Sequence, residues 1–200
     1  MRISRLLVVI CLTASLCSGG PVACNKRSTQ NCVITSEDYA VYSSVFLDLD
    51  KQRNSADKME MIISEATVSG EDHLLDLQKI RQSTKDAPEA TVVSFNVQRK
   101  RACNLQPQLS GSISYRIVSP EDLDKHFMRG RGMWESFYKE YPKASGIVRL
   151  SPVGYNVEAT EALVYIEHSC GGLCGAGYLV LLARQDGRWI VKDQITLWVV

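Results

Sequence analysis

The sequence predicts an α+β domain, in which an antiparallel C-terminal sheet of four to five strands forms a meander and packs against several helices. Before residue 142, aromatic side chains recur at helical spacing, whereas after it short apolar runs alternate with turn residues. Helices followed by strands joined through tight turns are typical of this class. The predicted strands of the sheet lie at residues 147–150, 162–168, 178–183 and 189–198.

The N-terminal part of the domain begins with a predicted helix near Thr35. Thr35 can cap this helix, and Asp38, three positions on, can return the capping interaction. An apolar stripe at helical spacing predicts one face buried in the core. The stripe consists of Tyr39, Tyr42, Phe46 and Leu49. Residues 59–66 then form a predicted strand, and residues 71–82 a second helix.

Residues 88–101 carry two conflicting signals. Val93, Phe95 and Val97 alternate with polar or small residues, and this period predicts a strand. Pro88, in contrast, is typical of the first turn of a helix. The local pattern leaves both alternatives open.

The segment from 113 to 142 contains a predicted strand and two predicted helices. Residues 113–117 alternate between apolar and polar side chains, as a half-buried strand does. Ser119 can cap the first helix, because Pro120 and two acidic residues follow it. The second helix carries an aromatic stripe that is predicted to pack across the sheet, made of Trp134, Phe137, Tyr138 and Tyr141.

The last three predicted strands are joined by a glycine-rich bend and a tight turn. The bend, residues 170–177, reads Cys-Gly-Gly-Leu-Cys-Gly-Ala-Gly and separates the runs 162–168 and 178–183. The second run is apolar at successive positions, which predicts a central strand covered on both faces. Asp186 and Gly187 predict a two-residue hairpin turn before the final strand.

Residues 1–23 are predicted to be an export signal. Arg2 and Arg5 precede an apolar run, which small residues follow. The run is shorter than the roughly 20 residues of a membrane-spanning helix. Ala23-Cys24 is similar to the end of a bacterial lipoprotein signal, so lipidation of Cys24 and ordinary cleavage nearby both remain open. Residues 24–34 are a predicted polar tether, and residues 35–200 a single α+β domain.

The predicted location is the periplasm or cell envelope, where the chain would reach the membrane only through a lipid at Cys24. A net charge of +1 argues against a nucleic-acid-binding protein, which usually carries a basic stripe. The sequence does not identify a partner.

The seven cysteines predict two disulfides. Cys11 and Cys17 fall in or beside the signal, and lipidation would occupy Cys24. The remaining four form an even set in an oxidising compartment, which is typical of disulfide bonding. Their spacing favours Cys170 with Cys174, which leaves Cys32 with Cys103.

Several blocks of the second half resemble a family of uncharacterised bacterial secreted and lipoprotein domains that carry a Cys-Gly-Gly-Leu-Cys-Gly hairpin near the C-terminus. The blocks are Trp134-Glu135-Ser136-Phe137-Tyr138, Leu150-Ser151-Pro152-Val153-Gly154-Tyr155-Asn156, Ala162-Leu163-Val164-Tyr165, the cysteine bend, and Gly187-Arg188-Trp189. Near the N-terminus, Tyr39-Ala40-Val41-Tyr42-Ser43 is similar to the family's opening helix. The resemblance implies bacterial export, an α+β fold and a helix over residues 88–100. It implies no catalytic residue.

The cysteine bend supports three chemical interpretations. Cys170 and Cys174 can form a structural disulfide that clamps the bend. They can instead act as a redox dithiol, although such pairs usually have CxxC spacing at a helix N-terminus. They can also join His168 as metal ligands, with His126 or Cys103 as the fourth ligand.

The glycines of the bend can also serve a ligand. Gly171, Gly172, Gly175 and Gly177 would let another backbone or a small molecule approach closely beside His168, although a bent hairpin needs glycines in any case. The sequence therefore predicts an exported, non-catalytic binding or interaction domain with a disulfide-clamped hairpin and no cofactor. The alternative is a thiol redox or metal-dependent enzyme that uses the Cys170/Cys174 loop.

Overall fold

The computed structural model describes residues 32–53, 59–69, 77–128 and 133–200. The predicted export signal and most of the predicted tether lie outside these residues. The helices are α1 (Ser36–Arg53), α2 (Leu77–Ser83), α3 (Glu89–Gln98), α4 (Pro120–Phe127) and α5 (Trp134–Glu140). The strands are β1 (Glu60–Ser64), β2 (Tyr115–Val118), β3 (Ala144–Leu150), β4 (Gly154–Tyr155), β5 (Glu161–Gly171), β6 (Cys174–Gln185) and β7 (Arg188–Val199).

The described strands form one mixed, seven-stranded sheet. Its order is β2-β1-β3-β5-β6-β7, and β4 pairs with β5 beside the end of β3. The α+β class is confirmed, and β3, β5, β6 and β7 are antiparallel as predicted. The sheet is larger than predicted, because β1 lies parallel to both β2 and β3. Parallel strands need long crossover connections, and the segments that contain α2 to α5 supply them.

Helices pack on both faces of the sheet, because neighbouring residues of a strand point to opposite sides. Helix α1 covers what we call the α1 face, formed on β3, β5 and β6 by Val148, Leu150, Val164, Ile166, Val180 and Leu182. The opposite face carries two separate groups of helices. Helices α2 and α3 pack on Leu163, Tyr165, Leu179 and Leu181, and α4 and α5 pack on Ile62 and Ile147.

A reciprocal cap starts α1, as the sequence predicts. The backbone N–H of Asp38 donates to Thr35 Oγ1 at 3.2 Å, and the backbone N–H of Thr35 donates to Asp38 Oδ2 at 2.7 Å. These bonds satisfy backbone donors that a helix start leaves unpaired. The predicted stripe faces the core: Tyr39, Tyr42 and Phe46 are buried, and Leu49 packs against the same cluster.

Residues 89–98 form a helix, in agreement with the resemblance and not with the local alternation. Thr91, Val92 and Phe95 are buried at helical spacing, whereas Val93 and Val97 are exposed. The alternation therefore arises from two outward-facing valines on either side of a buried phenylalanine. Helix packing over β5 and β6 decides the conformation here.

Helices α4 and α5 also follow their predicted signals. Ser119 Oγ accepts from the backbone N–H of Asp122 at 3.1 Å, with Pro120 at the first helical position. The aromatic side chains of α5 pack over Ile62 and Ile147, which confirms that the stripe lies against the sheet.

Residues 152–156, which lie between the predicted strands 147–150 and 162–168, contain the additional short strand β4. Helix α2 begins at Leu77, and the first residues of the helix predicted over 71–82 lie outside the described part. Strand β6 is covered on both faces as expected, although it stands next to the edge strand β7. Among the helices described, none is both long and apolar enough to cross a membrane.

Candidate functional site

The four cysteines of the domain form two pairs at disulfide bonding distance. Cys32 pairs with Cys103, with their Cα atoms 4.8 Å apart, and Cys170 pairs with Cys174, with their Cα atoms 5.1 Å apart. This is the pairing that the spacing of the cysteines predicts. The two cysteine pairs support a location outside the reducing cytosol.

The Cys170–Cys174 disulfide lies at the tip of the β5–β6 hairpin. Cys174 is exposed, and the side chain of Leu173 at the apex is 90% exposed. On the inner side, the hydroxyl of Tyr138 on α5 donates to the carbonyl of Cys170 at 2.9 Å. The cysteines thus belong to strand ends in a hairpin, whereas redox thiols are typically activated at a helix N-terminus.

At most glycines of the bend, the space that a side chain or a ligand would need is already filled by other atoms of the chain. A Cβ at Gly177 would overlap the indole Nε1 of Trp198, and a Cβ at Gly175 would lie 3.3 Å from the same ring. The indole N–H of Trp198 donates to the hydroxyl of Tyr165 at 2.9 Å across Gly177. A Cβ at Gly171 would lie 3.3 Å from Cys174 Cβ. Of the predicted glycine ligand loop, only Gly172 has open space around it, with nothing within 4 Å of a Cβ there.

The predicted metal ligands do not come together. Cys170 and Cys174 are bonded to each other, and Cys103 is bonded to Cys32. His168 Nε2 donates to the backbone carbonyl of Ser145 at 2.7 Å. In the part of the chain that the structure describes, no three His, Cys, Asp or Glu side chains are grouped as a metal site.

His126 is a buried histidine of the aromatic cluster on the opposite face. Its Nδ1 lies 2.9 Å from Ser136 Oγ, and its Nε2 lies 3.3 Å from Glu140 Oε2. The second contact lacks hydrogen-bond geometry, and the Glu140 side chain is 60% exposed. A hydrolase triad requires a carboxylate that firmly orients the imidazole, so this arrangement fits a packing role between α4 and α5. The ring lies edge-on to Phe127, Phe137 and Tyr141.

His168 lines a cavity on the α1 face, which we call the His168 cup. The cup has a volume of about 190 Å³ and lies where the last turns of α1 meet the sheet. Two side chains of α1 form its wall and six side chains of β1, β3, β5, β6 and β7 form its floor. They are Phe46 and Leu49 from α1, and Met61, Val148, Ile166, His168, Tyr178 and Gln194 from the sheet.

An irregularity in β3 positions the imidazole of His168. The pairing of β1 with β3 shifts register between Glu60 and Ile62, and Gly146 lies in the shifted stretch with a φ of +122°. A Cβ at Gly146 would lie 2.8 Å from His168 Nε2 and would overlap the carbonyl of Ser169. Glycine is required here because it tolerates this φ and leaves space for the ring. The neighbouring carbonyl of Ser145 then fixes the ring by accepting a hydrogen bond from its Nε2–H.

The polar side chains of the cup come from three neighbouring strands. In the β5–β6 register His168 pairs with Ala176 and Ile166 pairs with Tyr178, so His168 and Tyr178 are diagonal neighbours. In the β6–β7 register Val180 pairs with Gln194 and Tyr178 pairs with Thr196, so Tyr178 and Gln194 are also diagonal neighbours. Diagonal neighbours on one face are within reach of long and aromatic side chains. Tyr178 is therefore the centre of the polar group.

No protein-family model, curated protein or solved structure matches this chain. The resemblance to bacterial secreted domains remains a prediction from the residues. Function is therefore inferred from the geometry of the cup and of the hairpin that bears His168.

A second, more polar cavity of about 220 Å³ lies near the Cys32–Cys103 disulfide. Its central carboxylate, Asp38, is buried and accepts from the Thr35 backbone and from the hydroxyl of Tyr155 at 2.8 Å. Burial, and then the negative charge of Asp38, raise the pKa of Tyr155 far above its usual value. The phenol therefore stays protonated and donates to Asp38, which attaches the start of α1 to β4.

The sequence identifies His168 but not the rest of the cup. Phe46 and Leu49 belong to the stripe predicted for α1, and nothing in their spacing distinguishes a cavity wall from a filled core. Gln194 lies in the last predicted strand, where a polar residue is expected on a solvent-facing side. Only the pairing of β5, β6 and β7 brings these side chains together.

Proposed function

We propose that the chain is an exported bacterial binding domain without catalytic activity, and that the His168 cup holds a small, largely apolar molecule. The observation that carries this proposal is the composition of the cup. Five apolar side chains line a space of about 190 Å³, and three polar side chains are grouped on its floor. Small-molecule sites typically combine apolar walls with a few placed polar groups that orient the ligand.

The hairpin disulfide would then act on binding indirectly. Cys170 lies two residues beyond His168 on β5, and its carbonyl is held by Tyr138. Crosslinking Cys170 to Cys174 limits the freedom of the hairpin end, and so preserves the orientation of His168 over Ser145. A preorganised site loses less conformational entropy on binding. The clamp is thus a positioning element in this proposal.

Export is supported by the two cysteine pairs and by the N-terminal signal pattern. A lipid at Cys24 would tether the domain to a membrane through residues 25–34. Cell fractionation with mass measurement of the mature N-terminus tests this part. Recovery of full-length, reduced protein in the cytosol would overturn it.

Filling the cup tests the binding function. Leu49 is a half-buried wall residue, so Leu49→Trp places a larger side chain into the cavity. The matched control is Val157→Trp, because Val157 is 89% exposed on a turn. Proteins recovered from periplasmic extract are compared by native mass spectrometry and by a thermal-shift screen of small neutral fragments.

We expect the unmodified chain and Val157→Trp to retain a bound species or fragment hits, and Leu49→Trp to lose them while remaining folded by circular dichroism. Equal binding by Leu49→Trp and the control would place the ligand elsewhere and refute the proposal. The absence of any bound species or fragment hit in the unmodified chain would refute it as well.

A further inference from the structure

We infer that the ligand of the His168 cup is a neutral molecule of single-ring size that carries one hydroxyl group, such as a phenol or an aromatic alcohol. This inference rests on the binding function proposed above. It follows from three properties of the cup: the charge of its lining, its volume, and the arrangement of its polar side chains.

The lining of the cup excludes a charged ligand. The side chains that form its wall and floor include no Lys, Arg, Asp or Glu. A buried charge without a partner costs several kcal/mol, far more than a small ligand recovers from apolar contact. A carboxylate or an ammonium group on a ring of suitable size would therefore bind more weakly than the neutral ring.

The volume restricts the ligand to about one ring. A dry apolar cavity of about 150 Å³ in another protein holds benzene. The cup, at about 190 Å³, accommodates a ring with one small substituent. The aromatic ring of Phe46 and the side chains of Leu49 and Met61 provide the apolar contacts for such a ring.

The polar side chains favour a hydroxyl on that ring. The phenol of Tyr178 can donate and accept, and the amide of Gln194 offers two donors and one acceptor group. Both lie on the floor of the cup as diagonal neighbours. A ligand hydroxyl also donates and accepts, so it can satisfy both groups at once. A plain hydrocarbon would leave them without a partner after displacing water.

Four probes with the same ring separate these properties: phenol, toluene, benzoate and benzylamine. Each is titrated into the isotopically labelled, disulfide-intact chain, and amide shifts of β5, β6 and β7 report occupancy of the cup. We expect phenol to bind about tenfold more tightly than toluene, as one additional satisfied hydrogen-bonding group allows. Benzoate and benzylamine should bind more weakly than toluene.

Two variants assign the preference to the polar side chains. Tyr178→Phe combined with Gln194→Leu should abolish the preference for phenol: toluene should bind more tightly than it does to the unmodified chain, because no polar group is left without a partner, and phenol should bind no more tightly than toluene. Leu49→Trp should abolish binding of both, whereas Val157→Trp should bind as the unmodified chain does.

The results distinguish the ligand class from the binding function. If toluene binds as tightly as phenol, or benzoate binds most tightly, and Leu49→Trp abolishes that binding, the hydroxyl inference is overturned and the cup remains a binding site. If the double variant keeps the preference for phenol, the assignment to Tyr178 and Gln194 is overturned. If no probe shifts the cup resonances, the inference fails, and the fragment screen on Leu49→Trp decides the binding function separately.

Discussion

The two disulfides differ in sequence separation and in burial, and so in what they stabilise. Cys32 and Cys103 are 71 residues apart in sequence, and Cys103 is buried. The backbone N–H of Cys103 donates to Thr67 Oγ1, and its carbonyl accepts from the backbone N–H of Thr67. Cys170 and Cys174 are four residues apart at an exposed hairpin tip. A long loop loses more chain entropy on closure than a short one, so the first bond stabilises the fold more.

The difference shows how a crosslink can serve stability in one place and local geometry in another. Near Cys32, the capped start of α1 and the Tyr155–Asp38 bond already attach the N-terminal segment, and the disulfide reinforces that attachment. At the hairpin tip, the disulfide lies at the end of the strand that carries His168. We therefore expect the first region to dominate unfolding and the second to dominate binding.

Removing the long-range disulfide should give the largest loss of stability. The double variant Cys32→Ser with Cys103→Ser should lower the free energy of unfolding by about 4 kcal/mol, because the unfolded chain regains the freedom of a long loop. Urea unfolding followed by circular dichroism measures the change. A loss below about 2 kcal/mol would remove the contrast between the two bonds.

Gly177 gives the next largest effect, and Gly172 is its control within the same bend. In Gly177→Ala the new methyl group overlaps the Trp198 indole and must displace the Trp198–Tyr165 hydrogen bond. We expect a loss of about 2–3 kcal/mol in unfolding free energy, as for other overpacked sites. Gly172→Ala should change stability by less than about 0.5 kcal/mol, as at other surface sites. Similar losses in both variants would mean that the bend needs glycine for its backbone conformation and not to leave space for the Trp198 indole.

Removing the local disulfide should lower stability less than removing the long-range disulfide does, but it should lower the affinity of the cup for its probes. The loop-entropy relation gives about 2 kcal/mol for Cys170→Ser with Cys174→Ser, about half the effect of the other pair. Probe affinity for the cup should fall at the same time, because the hairpin end that follows His168 is no longer clamped. Unchanged affinity, measured by the same amide-shift titration, would separate the hairpin tip from the cup.

Local signals predict the parts of this fold that local chemistry determines. The Thr35–Asp38 cap, the Ser119 cap and the tight turn at Asp186 and Gly187 follow from side chains a few positions apart. The cysteine pairing also followed, because one pair is close in sequence and only one pair then remains. Each of these needs no knowledge of distant residues.

Long-range packing determines what the sequence did not show. The segments that form β1 and β2 look like any short apolar run, and only the crossover connections place β1 parallel to β3 and β2 parallel to β1. Val93 and Val97 alternate around Phe95 as in a strand, and the burial of Phe95 against the sheet decides between this pattern and the helix signal at Pro88. The His168 cup depends on the register of β5, β6 and β7, which no single segment encodes.

Tyr155 offers the smallest and most specific test of the N-terminal attachment. Tyr155→Phe removes the hydrogen bond to the buried Asp38 carboxylate, so at pH 7 we expect a loss of about 1.5 kcal/mol. Because the pKa of Tyr155 is raised in the folded state, this residue contributes fully below about pH 10, the usual tyrosine value. Above that pH the unfolded chain releases a proton that the folded chain retains, so stability falls by about 1.4 kcal/mol per pH unit for this residue.

The phenylalanine variant lacks this proton, so the difference in unfolding free energy between the two proteins should shrink above pH 10 and vanish near about pH 11. Urea unfolding at pH 7, 10 and 11 measures the convergence. The buried Tyr42, whose pKa is also raised, is present in both proteins and cancels in the comparison. A difference that stays constant from pH 7 to pH 11 would show that Tyr155 ionises as freely in the folded chain as in the unfolded one. The bond from Tyr155 to Asp38 would then not be what attaches the start of α1 to β4.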